Sequence, residues 1–252
     1  MQGKFSKETV KENICSAKEK IRLAAERSGR NADDVVLLAA TKTVDAETVN
    51  FAIENGISCI GENRVQELLE KYEYIDRDKV DIHFIGRLQT NKVKYIVDKV
   101  SLIHSVDSVK LAKEIDKQCS KINKVMNVLV EINIGNEDTK GGISVDNLEE
   151  FLNEISTLRH VKVKGLMCIP PKCDSSENSL ENTQNCESTK KSYKNQAFFK
   201  KIMKLFLDIS QKKLDNIDMQ VLSMGMSDDF EQAVEEGSTL VRIGRGLFGS
   251  RS

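Results

Sequence analysis

Apolar segments of strand length alternate with amphipathic helical segments along almost the whole chain. Strand patterns occupy residues 35–41, 57–61, 82–86, 101–106, 126–134, 161–169, 219–224 and 239–243. Helical patterns lie between them, near residues 45–55, 64–74, 90–98, 108–122, 144–157, 197–213 and 228–236. This alternation is typical of a parallel sheet, and eight units without a long gap favour closure. The sequence therefore predicts an α/β fold, a single (β/α)8 TIM barrel.

Two segments stand outside this alternation. An additional N-terminal helix is indicated by the capping residue Ser6 and the terminating residue Gly29. Residues 172–195, after the sixth strand, are rich in Ser, Asn, Lys and Glu, and we expect an exposed, flexible polar insertion there. It would lie at the face that carries barrel active sites, where it is either a lid or an idle insertion. We expect one domain over residues 1–252.

Charge and hydropathy exclude several classes of protein. The formal net charge of the 252 residues is −1, which gives no electrostatic preference for nucleic acid or for an anionic membrane. The apolar runs are strand-sized, so no transmembrane helix is expected. The first six residues lack the apolar core of a signal peptide, and we expect a cytoplasmic protein.

The cysteines are too scattered to predict a metal site. No two of them have the spacing of a zinc motif, and only three histidines are present. We expect no metal and free thiols at Cys15, Cys59, Cys119, Cys168, Cys173 and Cys186.

Lys42 follows the first predicted strand directly. The carboxyl ends of barrel strands carry the active site, and a lysine there can hold a carbonyl compound as a Schiff base. A lysine that merely extends from a strand end into solvent is the alternative.

The turns after the seventh and eighth predicted strands are rich in small and hydroxylated residues. Barrels commonly bind phosphate at these two turns, through backbone N–H groups. Ser223 and Ser227 can donate hydroxyl groups, while Gly244 and Gly246 allow close approach of the backbone. Alternatively, Ser227 or Asp228 caps the next helix, and the glycines serve packing.

Three polar residues near strand ends complete the candidate site. Arg242 lies within the apolar run 240–243 and needs a partner, either a carboxylate such as Glu131 or the ring nitrogen of a heteroaromatic ligand. Asn63 can hydrogen-bond a ring substituent or begin a helix. His83 alternates with apolar residues, which favours a core histidine over a catalytic base.

Six motifs, taken in order, resemble the pyridoxal phosphate homeostasis protein family, also called the YggS or PROSC family. The resemblance covers about residues 6 to 251. The motifs are ATKT at 40–43, GENRVQE at 61–67, HFIGRLQTNK at 83–92, GLMCIP at 165–170, LSMGMSDDF at 222–230 and VRIG at 241–244.

The resemblance implies a barrel of the alanine-racemase N-terminal type that holds pyridoxal 5′-phosphate (PLP) as a Schiff base on Lys42. It places Arg242 at the pyridine nitrogen. Many relatives have a small hydroxylated residue at position 245, so Arg245 either adds a charge to the phosphate or points away. The phosphate would lie near Ser223, Ser227, Gly244 and Arg245.

The resemblance further implies a protein that carries and buffers PLP and maintains vitamin B6 and amino-acid homeostasis, without established catalytic residues. PLP-dependent apoenzymes would be its partners. A PLP-dependent amino-acid racemase is the main alternative, but racemases of this type use a tyrosine from a second domain of a partner chain. This sequence ends just after the eighth strand, so we expect a monomeric carrier. A sugar- or nucleotide-phosphate enzyme with a Schiff-base lysine is a third possibility.

Overall fold

The fold is a closed parallel barrel. A computed structural model describes residues 6–135, 141–171, 186–212 and 214–249, with the backbone alone over 186–194. Within these residues, eight parallel strands pair in chain order, and the first pairs with the last. The predicted (β/α)8 barrel is thereby confirmed.

The strand boundaries agree with the sequence patterns to within two residues. The strands are β1 (Val36–Ala40), β2 (Cys59–Glu62), β3 (Asp81–Phe84), β4 (Leu102–Val106), β5 (Met126–Ile132), β6 (Val161–Cys168), β7 (Ile217–Met226) and β8 (Leu240–Ile243). The α-helices are α1 (Lys7–Arg27), α2 (Ala46–Glu54), α3 (Val65–Lys71), α4 (Val109–Ser120), α5 (Leu148–Ile155), α6 (Cys186–Ser210), α7 (Phe230–Glu235) and α8 (Arg245–Phe248).

The predicted insertion and one predicted helix need correction. The predicted insertion 172–195 is wrong over 186–195, where α6 already runs; residues 172–185 lie outside the described residues. The polar start of α6 contains neither glycine nor proline, so it extends the buried apolar part of the helix cooperatively. The helix predicted over 90–98 is a 3₁₀ helix, Thr90–Tyr95, rather than an α-helix.

The N-terminal helix α1 packs against the C-terminal helices of the barrel. As predicted, the Ser6 side chain caps it by accepting a hydrogen bond from the N–H of Thr9 at 3.2 Å. Its buried face contacts α7 and α8. The side-chain amide of Asn13 donates to the C=O of Leu247 in α8 over 3.0 Å. Helix α1 therefore fixes the segment that follows the last strand.

Alternation along β1 decides which side chains enter the barrel. Leu38 and Ala40 lie inside, where they pack with Cys59 and Leu240 of neighbouring strands. Side chains two residues apart share a face of a strand, so Lys42 continues the inward-facing series at the mouth of the barrel.

Four cysteines lie among the residues whose side chains are described. Cys15 is exposed, and Cys59, Cys119 and Cys168 are buried; all four are free thiols, as predicted. Across the described residues, no helix is both long and apolar enough to cross a membrane.

Gly165 is required for the pairing of β6 with β7. Its φ is +152°, and a Cβ atom at this position would lie 1.8 Å from the carbonyl oxygen of Val221.

We expect Gly165→Ala to force the strands apart and lower the free energy of unfolding by about 3 kcal/mol or more, as measured by urea denaturation. Gly29→Ala is the control, because Gly29 has φ +71° with open space around it. It should cost only about 1 kcal/mol; equal losses would contradict the steric explanation.

Candidate functional site

Lys42 lies where the sequence predicts it, directly beyond the carboxyl end of β1. The strand ends at Ala40, Thr41 is fully buried, and Lys42 is half-buried at the barrel mouth. The N–H of Val44 donates to the C=O of Thr41 at 3.0 Å, and Thr43 between them has φ +64°. The lysine therefore belongs to a tight turn.

The turn after β8 lies beside the end of β1. The register of the two strands pairs Ala39 with Ile243. A Cβ atom at the next residue, Gly244, would lie 3.1 Å from the carbonyl oxygen of Ala40. Glycine thus allows the backbone of this turn to approach the strand that leads to Lys42.

Ser227 lies in the turn after β7 and faces the turn after β8. Its hydroxyl oxygen accepts a hydrogen bond from the N–H of Gly246 at 3.1 Å. The two turns predicted to bind phosphate are therefore in direct contact. Together they present a hydroxyl group and a glycine backbone at one side of the barrel mouth.

The alternative prediction, that Ser227 or Asp228 caps the following helix, is wrong. The residue at the cap of α7 is Asp229, and its side chain makes no capping hydrogen bond. Instead its Oδ1 accepts from the N–H of Met226 at 2.7 Å, which stabilises the turn itself. Ser227 remains available to the neighbouring turn.

Arg245 forms an ion pair at the surface. Its Nη2 donates to both carboxylate oxygens of Asp228 at 2.6 Å, and both side chains are more than half exposed. The guanidinium is directed toward this carboxylate.

Arg242 is buried inside the barrel and is held by two oxygen atoms. Its Nη1 donates to the hydroxyl of Ser223 at 2.6 Å, and its Nη2 donates to the C=O of Cys168 at 3.0 Å. Glu131, the carboxylate considered from the sequence, interacts with Arg242 only electrostatically, and among the described residues the guanidinium bonds Ser223 and Cys168 instead. Ser223, predicted near the phosphate, is thus engaged by Arg242.

A hydrogen-bonded series continues from Ser223 across the interior. Ser223 Oγ lies 3.1 Å from Nδ1 of His104, and Nε2 of His104 lies 3.0 Å from Nδ1 of His83. With Arg242 donating to the serine oxygen, we assign the Ser223 proton to His104 Nδ1, and His104 then donates through Nε2 to His83 Nδ1. His83 Nε2 then donates to Cys59 Sγ at 3.7 Å, which ends the series.

Both histidines are neutral under this arrangement. Burial lowers the pKa of His83 to about 4. Burial also lowers the pKa of His104 well below its ordinary value, and the neighbouring His83 and Arg242 lower it further. The predicted core role of His83 agrees with its position, and neither ring competes with Arg242 as a cation.

Asn63 has an unsatisfied amide group. Its Oδ1 is buried and accepts no hydrogen bond from the described residues. A Cβ atom at Gly86, just beyond β3, would lie 2.1 Å from the Asn63 carbonyl oxygen, so this glycine permits the position of Asn63. A buried polar atom without a partner is unfavourable, and a ligand at the barrel mouth would satisfy it.

Glu131 points toward the barrel mouth from β5. It lines a cavity of about 220 Å³ together with Ile132, Asn133, Gly141 and Ile169. Burial raises its pKa, Asp107 raises it further, and Arg242 opposes the shift. Burial therefore disfavours the charged form of this carboxylate.

Sequence reasoning missed several residues around the site. His104 in β4 is a polar residue inside an apolar strand, the same signal that identified His83 and Arg242. The fully buried carboxylate of Glu62 and its partner Lys71 were also missed. An acidic residue that ends a strand gives no sign of its burial until the helix that covers it is known.

The closed eight-stranded barrel with a lysine after its first strand is the architecture of the alanine-racemase N-terminal class, and known proteins of that class are similar in sequence. Residues 17–252 match the family described as "Alanine racemase, N-terminal domain". A pyridoxal phosphate homeostasis protein of Aquifex aeolicus is 45% identical over 240 residues, which are 95% of this chain and 97% of that protein. The chain belongs to the pyridoxal phosphate homeostasis protein family, as its motifs predict.

Solved structures have the same architecture. A structure described as an unknown protein from Bifidobacterium adolescentis has a TM-score of 0.83 and 30% identity, over 96% of this chain and 95% of that one. PipY of Synechococcus elongatus, solved with PLP bound, has a TM-score of 0.72 and 31% identity, over 91% of this chain and 99% of that one.

The neutral histidines predict a pH dependence of stability. Between about pH 6.5 and pH 4 the unfolded chain protonates His83 while the folded protein does not. Stability should therefore fall as the pH falls through this window, with His83 contributing about 3 kcal/mol. His83→Asn removes this titration and should flatten the curve relative to the wild type in urea denaturation. If the free energy of unfolding depends on pH equally in the two proteins, His83 is not held neutral by burial.

Proposed function

We propose that this protein binds PLP at the carboxyl ends of its barrel strands, and that it carries and buffers the cofactor in vitamin B6 and amino-acid homeostasis. The observation that carries the proposal is the half-buried Lys42 beside a cradle of glycine and serine. Membership of the homeostasis protein family supports it, as does the similarity to PipY, whose structure contains PLP.

The residues at the barrel mouth fit the chemistry of this cofactor. Ser227 and the backbone at Gly244 offer a hydroxyl and close approach to a phosphate. The unsatisfied amide of Asn63 suits a ring oxygen, because rotation of an amide exchanges its donor and acceptor. When bound, PLP supplies an aldehyde that condenses with an amine with loss of water. Lys42 is the amine that we assign to this attachment.

Arg242 determines the electrostatic environment that the site offers to the pyridine ring. Among the described residues, two of its five N–H groups donate hydrogen bonds, one to Ser223 and one to Cys168. A permanent cation beside the pyridine nitrogen keeps that nitrogen unprotonated and weakens the ring as an electron sink. This favours binding and release of the cofactor over turnover of amino acids.

We propose that the protein has no racemase activity of its own. Racemisation needs an acid or base on each face of the cofactor, and the arginine opposes the electron withdrawal that such a reaction needs. We further propose a cytoplasmic monomer that delivers PLP to PLP-dependent apoenzymes. Its net charge of −1 provides no attraction to nucleic acid or anionic membranes.

Lys42→Ala should abolish covalent attachment of PLP. The wild-type protein should absorb visible light after addition of PLP, and borohydride should fix one adduct that peptide mass maps to Lys42. Lys11→Ala, on the exposed face of α1, is the control and should behave as the wild type does.

An adduct that persists in Lys42→Ala would assign the attachment to another lysine. A colourless wild-type protein would overturn the proposed function as a whole. Incubation of the loaded protein with L-alanine, followed by chiral chromatography, tests the racemase alternative. Turnover at ordinary enzymatic rates, roughly 1 s⁻¹ or faster, would establish that alternative.

Arg242 in β8 and Arg245 in α8 should differ in their effect on PLP binding. Arg242→Gln removes the buried cation and should weaken PLP binding about tenfold or more, because hydrogen bonds to charged groups contribute about 1.5–3 kcal/mol. Arg245→Gln only breaks the exposed pair with Asp228 and should change the Kd by less than about twofold. Fluorescence titration measures both. An equal loss of PLP affinity in the two variants would indicate that the Arg245 side chain contacts the phosphate.

A further inference from the structure

The turn that carries Lys42 has a strained backbone. Thr43 has φ +64°, a left-handed conformation that β-branched residues rarely adopt. Such a conformation persists only where surrounding contacts enforce it. Those contacts come from β2 and α3, the next unit of the barrel.

Glu67 of α3 holds the strained residue itself. Its Oε2 accepts a hydrogen bond from the backbone N–H of Thr43 at 3.0 Å. Its Oε1 lies 3.4 Å from a guanidinium nitrogen of Arg64, which fixes the carboxylate from the other side. The N–H that Glu67 accepts from belongs to the residue directly after Lys42.

Lys71 of α3 holds both ends of the turn. Its ammonium group donates to the C=O of Thr41 at 2.9 Å and to the C=O of Val44 at 3.1 Å. These two carbonyls bracket Lys42 and Thr43. One cation therefore fixes the backbone before and after the lysine that we assign to PLP.

Glu62 directs the ammonium group of Lys71. Its side chain is fully buried, and its Oε1 accepts from Lys71 Nζ at 2.5 Å and from the hydroxyl of Thr41 at 2.5 Å. Its Oε2 has no hydrogen-bond partner among the described residues. Burial of this carboxylate is unfavourable and raises its pKa, whereas Lys71 opposes that shift. Because desolvation of the two charges offsets their attraction, the pair adds little to the stability of the fold. Its geometry instead indicates a role in positioning the Lys42 turn.

We propose that Glu67 and the Glu62–Lys71 ion pair are positioning residues that hold the backbone of the Lys42 turn, so that the amine of Lys42 meets the PLP aldehyde. This inference rests on the proposed function and deepens it. The phosphate cradle belongs to β7 and β8, on other elements of the barrel. The positioning residues should therefore affect the attachment step and leave binding of the phosphate end unchanged.

Glu67→Ala is the principal test, with two matched variants. Glu67→Gln keeps an oxygen that can accept from Thr43. Glu70→Ala removes an exposed glutamate of the same helix whose carboxylate accepts from Gln66 and, among the described residues, from no other side chain. The first readout is the rate of adduct formation with PLP, trapped by borohydride. The second is the affinity for pyridoxamine 5′-phosphate, which has the phosphate and the ring but no aldehyde.

The expected result is a fall of about ten- to a hundredfold in the attachment rate of Glu67→Ala, because small misplacements of a reacting group have effects of this size. Its Kd for pyridoxamine 5′-phosphate should stay within twofold of the wild type. Glu67→Gln should recover most of the rate, and Glu70→Ala should match the wild type. An unchanged rate in Glu67→Ala overturns the proposal, as does a parallel loss of rate and affinity.

The ion pair needs a double variant, because Lys71→Met alone leaves Glu62 charged and buried without a partner. Glu62→Gln with Lys71→Met removes both charges and should also slow attachment at unchanged pyridoxamine 5′-phosphate affinity. Hydrogen exchange of the ligand-free protein is the independent measurement. Amides of residues 41–44 should exchange at least tenfold faster in Glu67→Ala and in the double variant. Unchanged exchange overturns the positioning role, whether or not the wild type takes up PLP; a wild type without an adduct overturns the proposed function instead.

Discussion

Pairing of the first strand with the last is the constraint on which the site depends. Val36 to Ala39 of β1 lie beside Leu240 to Ile243 of β8 in parallel register. This closure brings the turn that follows β1 against the turn that follows β8, where Gly244 approaches the backbone of Ala40. Helix α1, the first element of the chain, packs on α7 and α8 and so supports the closure from outside. Lys42 and the turns that we propose to bind phosphate, which come from opposite ends of the sequence, thereby share one mouth of the barrel.

A buried cation without a carboxylate in contact requires a different kind of compensation. Arg242 is held by a hydroxyl and a carbonyl oxygen, both uncharged. The hydroxyl of Ser223 is polarised in turn by His104, which can accept its proton only while the ring is neutral. Burial and the arginine itself keep the pKa of His104 low, so the series is self-consistent. The interior thus stabilises the cation through dipoles and leaves its charge available to a ligand with an unprotonated ring nitrogen or an anionic group.

Features of the fold that follow from hydrophobic periodicity can be predicted from the sequence. Contacts that depend on the register between neighbouring strands cannot. Strand order, the position of Lys42 and the inward direction of Arg242 follow from alternating apolar residues and from barrel closure. The pairing of Ser223 with Arg242 does not follow, because the register between β7 and β8 shifts between Ser223 and Met226. Likewise, the early start of α6 at Cys186 is hidden by its polar composition, since helix propagation from a packed segment needs no local apolar signal.

The two halves of the candidate site are supported by separate parts of the barrel. The Lys42 turn is fixed by side chains of β2 and α3, through Glu62, Glu67 and Lys71. The cradle near Ser227 is fixed by contacts between the turns after β7 and β8. A carrier benefits from this separation, because the covalent bond and the phosphate contacts can then be released one after the other. An enzyme that stabilises a transition state needs the opposite, a single network that aligns every reacting group at once. This layout of contacts supports the proposed role in storage and release of the cofactor.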